Sequence, residues 1–218
     1  MLLRYSAMNF LAHASVALRI DPGADPRTVL GAMLPDFASM SRARLALAAD
    51  PAISDGIALH LATDDVFHGA PEFLALYTRG IDALEALGVG RGAARAVAHV
   101  GTELLLDGLL LGDPALDAAY LEAVALPMET LGLSFRSGAE RFEALFARLS
   151  EHGLPEDYRS PERVALRLEQ ILARRPRLAL APGDRARIVP FLEETRERLD
   201  ARLPALLDEV DAGLSLTV

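Results

Sequence analysis

The sequence predicts an all-α fold, a compact single-domain bundle of about eight to ten helices with a metal site between helices. Apolar residues recur at three- and four-residue spacing along nearly the whole chain, which is the period of helices with one buried face. The breaks between these stretches carry Gly, Pro and Asp, as at Asp50-Pro51 and Gly112-Asp-Pro114. No stretch alternates convincingly, so we expect no strand. With 218 residues, a single domain over 1–218 is expected.

Each helical segment is bounded by such a break. Ser160 precedes Pro161, an arrangement that favours a helix beginning there. Pro190 and Pro204 lie inside the last segment, and we expect them to break or kink an otherwise solvated amphipathic helix. The predicted segments span residues 8–20, 27–49, 53–68, 71–88, 91–111, 114–131, 138–151, 160–173 and 184–211.

Composition excludes several classes of function. All 22 basic residues are arginine, and the net charge of -9 disfavours general nucleic-acid binding and simple attraction to anionic membranes. Cysteine is absent, so a metal would need His, Asp and Glu ligands. No apolar run reaches the roughly 18 residues of a membrane span, and the N-terminus lacks a secretory leader. We therefore expect a cytoplasmic protein, of an oligomeric state that the sequence leaves open.

Two ladders of ionisable side chains interrupt otherwise apolar segments. Each ladder steps by four residues, so its members share one face of a helix. Buried carboxylates are costly unless they are paired, protonated or bound to a metal. The ladders therefore predict a shared interior site. Their members are His60, Asp64 and His68 in one, and His99, Glu103 and Asp107 in the other.

Two further residues extend this site. His13 lies on the first predicted helix, and Asp36 ends an apolar approach that would deliver its carboxylate to the interior or to a helix start. Imidazole and carboxylate groups bind Mn, Zn or Fe, and we expect two or more such ions. Asp107 is expected to orient a histidine from outside the ligand set. The predicted ligands are His13, Asp36, His60, Asp64, His68, His99 and Glu103.

Other interpretations remain open for each of these residues. His13 alone is typical of a satisfied core histidine, and Asp36 alone is equally typical of a helix cap. The ladders can also form a buried network of ion pairs between packed helices. A separate basic cluster, Arg174, Arg175 and Arg177, fits either a helix C-terminus facing its dipole or a dock for an acidic partner or a phosphate.

With these residues in place, the chain resembles the acyl carrier protein phosphodiesterase family. The resemblance covers roughly residues 8–200 and leaves 1–7 as a possible N-terminal extension. It implies hydrolysis of the phosphodiester that joins 4′-phosphopantetheine to a carrier-protein serine, with a divalent metal, typically manganese. Asp36 matches the essential aspartate of that family. The matching blocks are Met8-Asn-Phe-Leu-Ala-His13, Gly31-Ala-Met-Leu-Pro-Asp36-Phe37, Gly56-Ile-Ala-Leu-His60 with Asp64 and Pro71, and Arg174-Arg-Pro-Arg-Leu178.

The chain departs from that family's pattern at several positions, and these departures resemble a second family. Leu61 and Ala62 stand where the family tends to have arginines, and His68 stands in place of an aspartate. The spacing His60-x3-Asp64-x3-His68 and His99-x3-Glu103 resembles zinc-dependent phospholipase C and its single-strand nuclease relatives. Both resemblances imply a metal-dependent phosphodiesterase, but they differ in substrate.

Three hypotheses follow. The leading one is a phosphodiesterase with Asp36, His60 and Asp64 at its catalytic centre and holo-acyl carrier protein as a possible substrate. The alternative is a phospholipase C-like or other phosphoester hydrolase. The third is a non-catalytic helical domain that kept a family fold and lost its chemistry. Carrier-protein docking would fall to the basic cluster, with Arg42 and Arg44 as further candidates, because carrier proteins are acidic.

Overall fold

The computed structural model describes residues 10–216, and within them the chain forms nine α-helices, confirming the predicted all-α fold. Residues 1–7, the possible extension, and Met8 and Asn9 of the first matching block lie outside the described residues. The helices are α1 (Phe10–Ile20), α2 (Pro26–Met40), α3 (Pro51–Phe67), α4 (Pro71–Ala86), α5 (Arg91–Leu110), α6 (Pro114–Val124), α7 (Ala139–His152), α8 (Pro161–Leu172) and α9 (Asp184–Ser215). Short 3-10 turns occupy Met128–Thr130 and Glu156–Arg159.

Local chemistry explains where many of the helices begin. Five helices start at a proline, whose missing N–H costs nothing in the first turn. In three of them an aspartate just before the proline accepts hydrogen bonds from the first-turn N–H groups: Asp25 for α2, Asp50 for α3 and Asp113 for α6. Ser160 does the same for α8, as predicted.

Helix α5 forms the centre of the core. Its residues from Ala96 to Gly108 are all buried, and α1, α4, α8 and α9 pack around it. Helices α2 and α3 form a closely packed pair against α1. No helix within residues 10–216 has the length and apolar character needed to cross a bilayer.

The prediction that the chain has no strand is wrong. Residues Arg44–Ala48 form β1, which pairs antiparallel with β2 (Leu133–Ser137). Predicted helix 27–49 instead ends at Met40, because Arg42 adopts a left-handed conformation with φ of 54°. Arg141 fixes this bend by donating hydrogen bonds to the carbonyls of Ser41 (3.0 Å) and Arg42 (2.8 Å).

Two other predicted boundaries also differ. Predicted helix 114–131 ends at Val124, ahead of the 3-10 turn and β2. Pro190 and Pro204 do not break the last helix, since α9 runs from Asp184 to Ser215 through both, and a kink at either proline stays a prediction. Packing of α9 against α4, α5 and α8 outweighs the local cost of each proline.

Candidate metal centre

A direct backbone contact between α2 and α3 sets the geometry of the site. A Cβ atom on Gly31 would lie 2.3 Å from the Ile53 carbonyl oxygen, and one on Gly56 would lie 2.2 Å from the Thr28 carbonyl oxygen. Only glycine permits this approach. It brings His60 Nδ1 within 2.8 Å of the Ala32 carbonyl oxygen. Because a ring N–H must donate in that bond, His60 Nε2 keeps its lone pair for another partner.

The first cluster consists of His13, His60 and Asp64, whose potential ligand atoms all lie within 4.8 Å of one another. Asp64 Oδ1 lies 3.4 Å from His13 Nε2, and Asp64 Oδ2 lies 3.5 Å from His60 Nε2. The two imidazole rings stack with centroids 3.8 Å apart. Both rings therefore direct a nitrogen towards one carboxylate, from two different helices.

Asp36 borders this first cluster. Its Oδ2 atom lies 3.9 Å from His13 Nε2, and its side chain is buried inside α2 after Pro35. It therefore does not cap a helix start. Burial raises its pKa well above the ordinary value, and the nearby charges of Asp64, Glu103 and Asp107 raise it further. A cation beside Asp36 would relieve both effects.

The second cluster consists of His68, His99 and Glu103. His99 Nε2 lies 3.0 Å from Glu103 Oε1 and 3.1 Å from His68 Nε2, and His68 Nε2 lies 3.3 Å from Glu103 Oε1. Ligand atoms bound about 2.0–2.1 Å from a tetrahedral ion would be roughly 3.3–3.4 Å apart, and somewhat closer around an octahedral one. The three atoms thus have the spacing of one face of a metal coordination shell.

Asp64 connects the two clusters. Its carboxylate belongs to the first, while its backbone carbonyl oxygen lies 2.8 Å from Nδ1 of His68. That bond fixes the His68 ring with Nε2 directed at His99 and Glu103. Asp64 Oδ1 also lies 4.0 Å from His68 Nδ1, so the clusters are neighbours.

Charge within the clusters follows from burial and pairing. Burial lowers the pKa of His13 to about 4, so its imidazole is neutral, the form that binds metals. Burial alone would raise the pKa of Asp64 and of Glu103, but the paired histidines lower both below their ordinary values. For His68, burial lowers the pKa, and the Glu103 carboxylate raises it above the ordinary value.

Pairing within the protein leaves much of this site unsatisfied. Within residues 10–216, several buried atoms of the two clusters and Asp36 have no hydrogen-bond partner. Such atoms are rare in native interiors. Some of them still lie within ion-pair distance of each other, as His13 Nε2 and Asp64 Oδ1 do at 3.4 Å. The arrangement therefore fits metal ligation and also the alternative network of ion pairs. The unpartnered atoms are both ring nitrogens of His13, Asp36 Oδ2, Asp64 Oδ1 and Glu103 Oε2.

Asp107 has a different position from the one predicted. Its carboxylate accepts hydrogen bonds from the backbone N–H groups of Leu11 (3.3 Å) and Ala12 (2.9 Å), in the first turn of α1. It therefore holds a helix start, where N–H groups lack intrahelical partners, and does not orient an imidazole ring directly. Because α1 carries His13, Asp107 positions that ligand through the backbone.

The site reaches solvent along one side. His13, Asp36, His60, His99 and Glu103 are almost fully buried, whereas the side chains of Asp64 and His68 are 28% and 22% exposed. A small molecule could approach the clusters past these two residues, which end the α3 ladder.

Two aromatic side chains beside the second cluster were not predicted from the sequence. The rings of Phe73 and Tyr77, on α4, meet the His99 ring edge-on at centroid distances of 5.4 and 5.7 Å. Phe73 also contacts His68 at 5.4 Å. The helical spacing of the two residues indicates only a core-facing stripe, so the sequence carries no signal of this contact.

The predicted docking arginines follow α8, which ends at Leu172. Arg174 and Arg175 line a cavity together with Arg42, while Arg177 and Arg44 are not among its lining residues. Arg148 and Arg167, from α7 and α8, complete the same lining and were not predicted. His152, the fifth histidine, is exposed at the end of α7, where its Nδ1 lies 2.8 Å from the Arg148 carbonyl oxygen.

Two buried clusters of His, Asp and Glu can thus hold metal ions. Comparisons of the chain with models of known protein families, with curated proteins and with solved structures gave no match.

Proposed function

We propose that the protein is a metal-dependent phosphodiesterase with one divalent ion in each cluster. The observation that carries this proposal is the pair of adjacent ligand sets that Asp64 connects, with partly exposed residues beside them. Paired divalent ions in such sites polarise phosphoryl oxygens and activate water. Ligand sets of nitrogen and oxygen without thiolate suit Mn, Zn or Fe.

Each of the predicted ligand residues would have its own role at the ions. His60 and His68 present Nε2, because each Nδ1 is held by a backbone carbonyl. Asp64 would contribute its carboxylate to the first ion, beside the partly exposed side of the site. Asp36 would add a buried carboxylate beside His13. In the reaction, water adds to phosphorus, one P–O ester bond breaks, and the departing alcohol takes a proton.

The metal part of the proposal is tested by elemental mass spectrometry of the purified full-length chain. We expect about two ions per chain, as in two-metal hydrolases, and loss of roughly one in His99→Ala. His152→Ala is the matched control, since it removes a histidine outside both clusters, and it should keep both ions. A chain free of stoichiometric metal, or His99→Ala with full metal content, would overturn the proposal.

The reaction class is tested with bis(4-nitrophenyl) phosphate, a generic aryl diester. Wild type and His152→Ala should release 4-nitrophenolate, while His99→Ala and Glu103→Gln should lose most of this activity. A chain that binds two ions and leaves the diester intact would refute the phosphodiesterase assignment and favour the non-catalytic domain.

For the substrate, we propose holo-acyl carrier protein, on the resemblance of the motif blocks. Phospholipid and nucleotide diesters are the alternatives. Release of 4′-phosphopantetheine from holo-carrier protein, measured beside those two diesters at equal concentration, tests this choice. Preferred cleavage of the phospholipid would instead support the phospholipase C-like alternative.

A further inference from the structure

A cavity of about 260 Å³ lies between the end of α2 and helices α7 and α8, and none of the cluster residues lines it. Among residues 10–216, its lining contains no acidic residue and includes five arginines, which come from separate parts of the chain. They are Arg42, Arg148, Arg167, Arg174 and Arg175.

This concentration of positive charge is unusual for the chain. The protein has a net charge of -9, yet none of its described acidic residues lines this cavity. Within residues 10–216, the ion pairs to carboxylates include none from Arg42, Arg148, Arg167 or Arg174. Guanidinium groups brought together without carboxylates repel one another, so an anion between them would be stabilising.

Parts of the cavity wall are held in place. Arg167 is half-buried, its Nε atom has no hydrogen-bond partner among the described residues, and it lies close enough to Tyr158 to affect the phenol. Arg42 sits at the left-handed end of α2, where Arg141 binds its carbonyl oxygen. Arg167 and Arg42 therefore line the cavity from positions that the surrounding structure constrains.

We propose that this cavity binds a small molecule carrying two phosphate groups. A phosphate monoester carries about -1.5 to -2 at neutral pH, so two such groups balance most of the charge of the arginines. The cavity volume lies just below that of typical small-molecule sites, roughly 300–1,000 Å³, which fits a compact diphosphate better than a polymer. The planar guanidinium groups match phosphate oxygens in paired hydrogen bonds.

Titration calorimetry of the full-length protein with inorganic diphosphate tests this proposal. We expect saturable binding of one diphosphate, at least about tenfold tighter than that of inorganic phosphate at the same ionic strength. Arg148→Gln with Arg174→Gln should weaken binding by about tenfold or more. These two side chains are exposed, so the double variant should fold normally.

The matched control is Arg136→Gln with Arg177→Gln, which removes two exposed arginines outside the cavity. Equal weakening in both double variants would reduce the effect to net charge and overturn the proposal. Absence of binding by wild type would do the same. Since diphosphate also binds metals, His99→Ala is titrated as well. Binding lost there and kept in the Arg148 and Arg174 variant would place the anion at the metal centre and refute the cavity site.

Arg167→Gln is a second test, at a half-buried arginine that lines the cavity. It should weaken diphosphate binding by about tenfold, with circular dichroism showing a retained fold. Normal binding in this variant, together with normal binding in the exposed pair, would contradict the proposal. We expect metal content to stay unchanged in every cavity variant, which would separate this site from the proposed phosphodiesterase centre.

Discussion

Replacement of Gly56 by alanine tests whether the contact between α2 and α3 positions the candidate metal centre. The added Cβ would lie 2.2 Å from the Thr28 carbonyl oxygen and 2.7 Å from the Ala32 backbone nitrogen. Ordinary contact begins at 3.4 Å, so the helices must separate by about 1 Å. The obstructing atoms belong to backbone, which cannot rotate away.

The magnitude follows from two opposed effects. Overpacking a close contact costs about 1–3 kcal/mol, and a backbone clash belongs at the upper end or beyond. Alanine in a helix gains about 0.5–1 kcal/mol over glycine. We therefore expect the free energy of unfolding to fall by about 2 kcal/mol or more, measured by urea denaturation. Separation of the helices would also stretch the bond from His60 Nδ1 to Ala32, so metal content should fall in the folded protein.

Gly69→Ala is the matched control. Its nearest neighbours would lie 3.5 and 3.6 Å from the new Cβ, and its backbone is not left-handed. Its stability should change by less than about 1 kcal/mol, in the stabilising direction. A Gly56→Ala protein as stable as Gly69→Ala, with full metal content, would refute the claim that this contact builds the site.

Three further predictions concern residues that hold the frame of the site. Asp107→Leu leaves the backbone N–H groups of Leu11 and Ala12 buried without an acceptor, so unfolding free energy should drop by about 2–4 kcal/mol in urea titration; an unchanged midpoint would contradict this role. Arg141→Ala removes two hydrogen bonds to the bend after α2 and should cost about 1–2 kcal/mol by the same assay, whereas Arg136→Ala on exposed β2 should be nearly neutral. Asp50→Ala removes the cap of α3 and its ion pair with Arg27, so the free energy of unfolding should fall by about 1–2 kcal/mol and the melting temperature should fall with it. Asp55→Ala, on the exposed face of α3, should leave the melting temperature unchanged.

The predictable parts of the fold were those with local signals. An aspartate or serine followed by proline marks the start of α2, α3, α6 and α8, because the cap and the first turn involve neighbouring residues. The strand β1 could not be predicted in this way. Its Leu and Ala residues favour a helix, and its partner β2 lies far along the chain. Pairing over such a distance overrides local preference.

The candidate site was likewise predictable only where its signal is local in the sequence. Spacing of four residues predicts that His60, Asp64 and His68 share a face, but it cannot say which other helix each one meets. In the structure Asp64 joins His13, while His68 joins His99 and Glu103. Asp107 continues the second ladder in sequence, yet its carboxylate accepts hydrogen bonds from backbone N–H groups at the start of α1. The last turns of α5 lie beside the beginning of that helix. For the arginine cavity, the sequence predicted Arg174, Arg175 and Arg42 as docking candidates. It gave no signal for Arg148 and Arg167, which resemble ordinary helix charges.

The position of Asp64 makes the two clusters dependent on each other. Its carbonyl oxygen accepts the backbone N–H of His68 at 3.1 Å and lies 2.8 Å from the His68 ring nitrogen, so the last turn of α3 fixes that ring. Its carboxylate faces His13 and His60 at the same time. Any movement of this turn therefore shifts ligands in both clusters together. Because Asp64 and His68 are also the two partly exposed members, a ligand that arrives there meets both clusters at once, which is consistent with the proposed hydrolysis by paired ions.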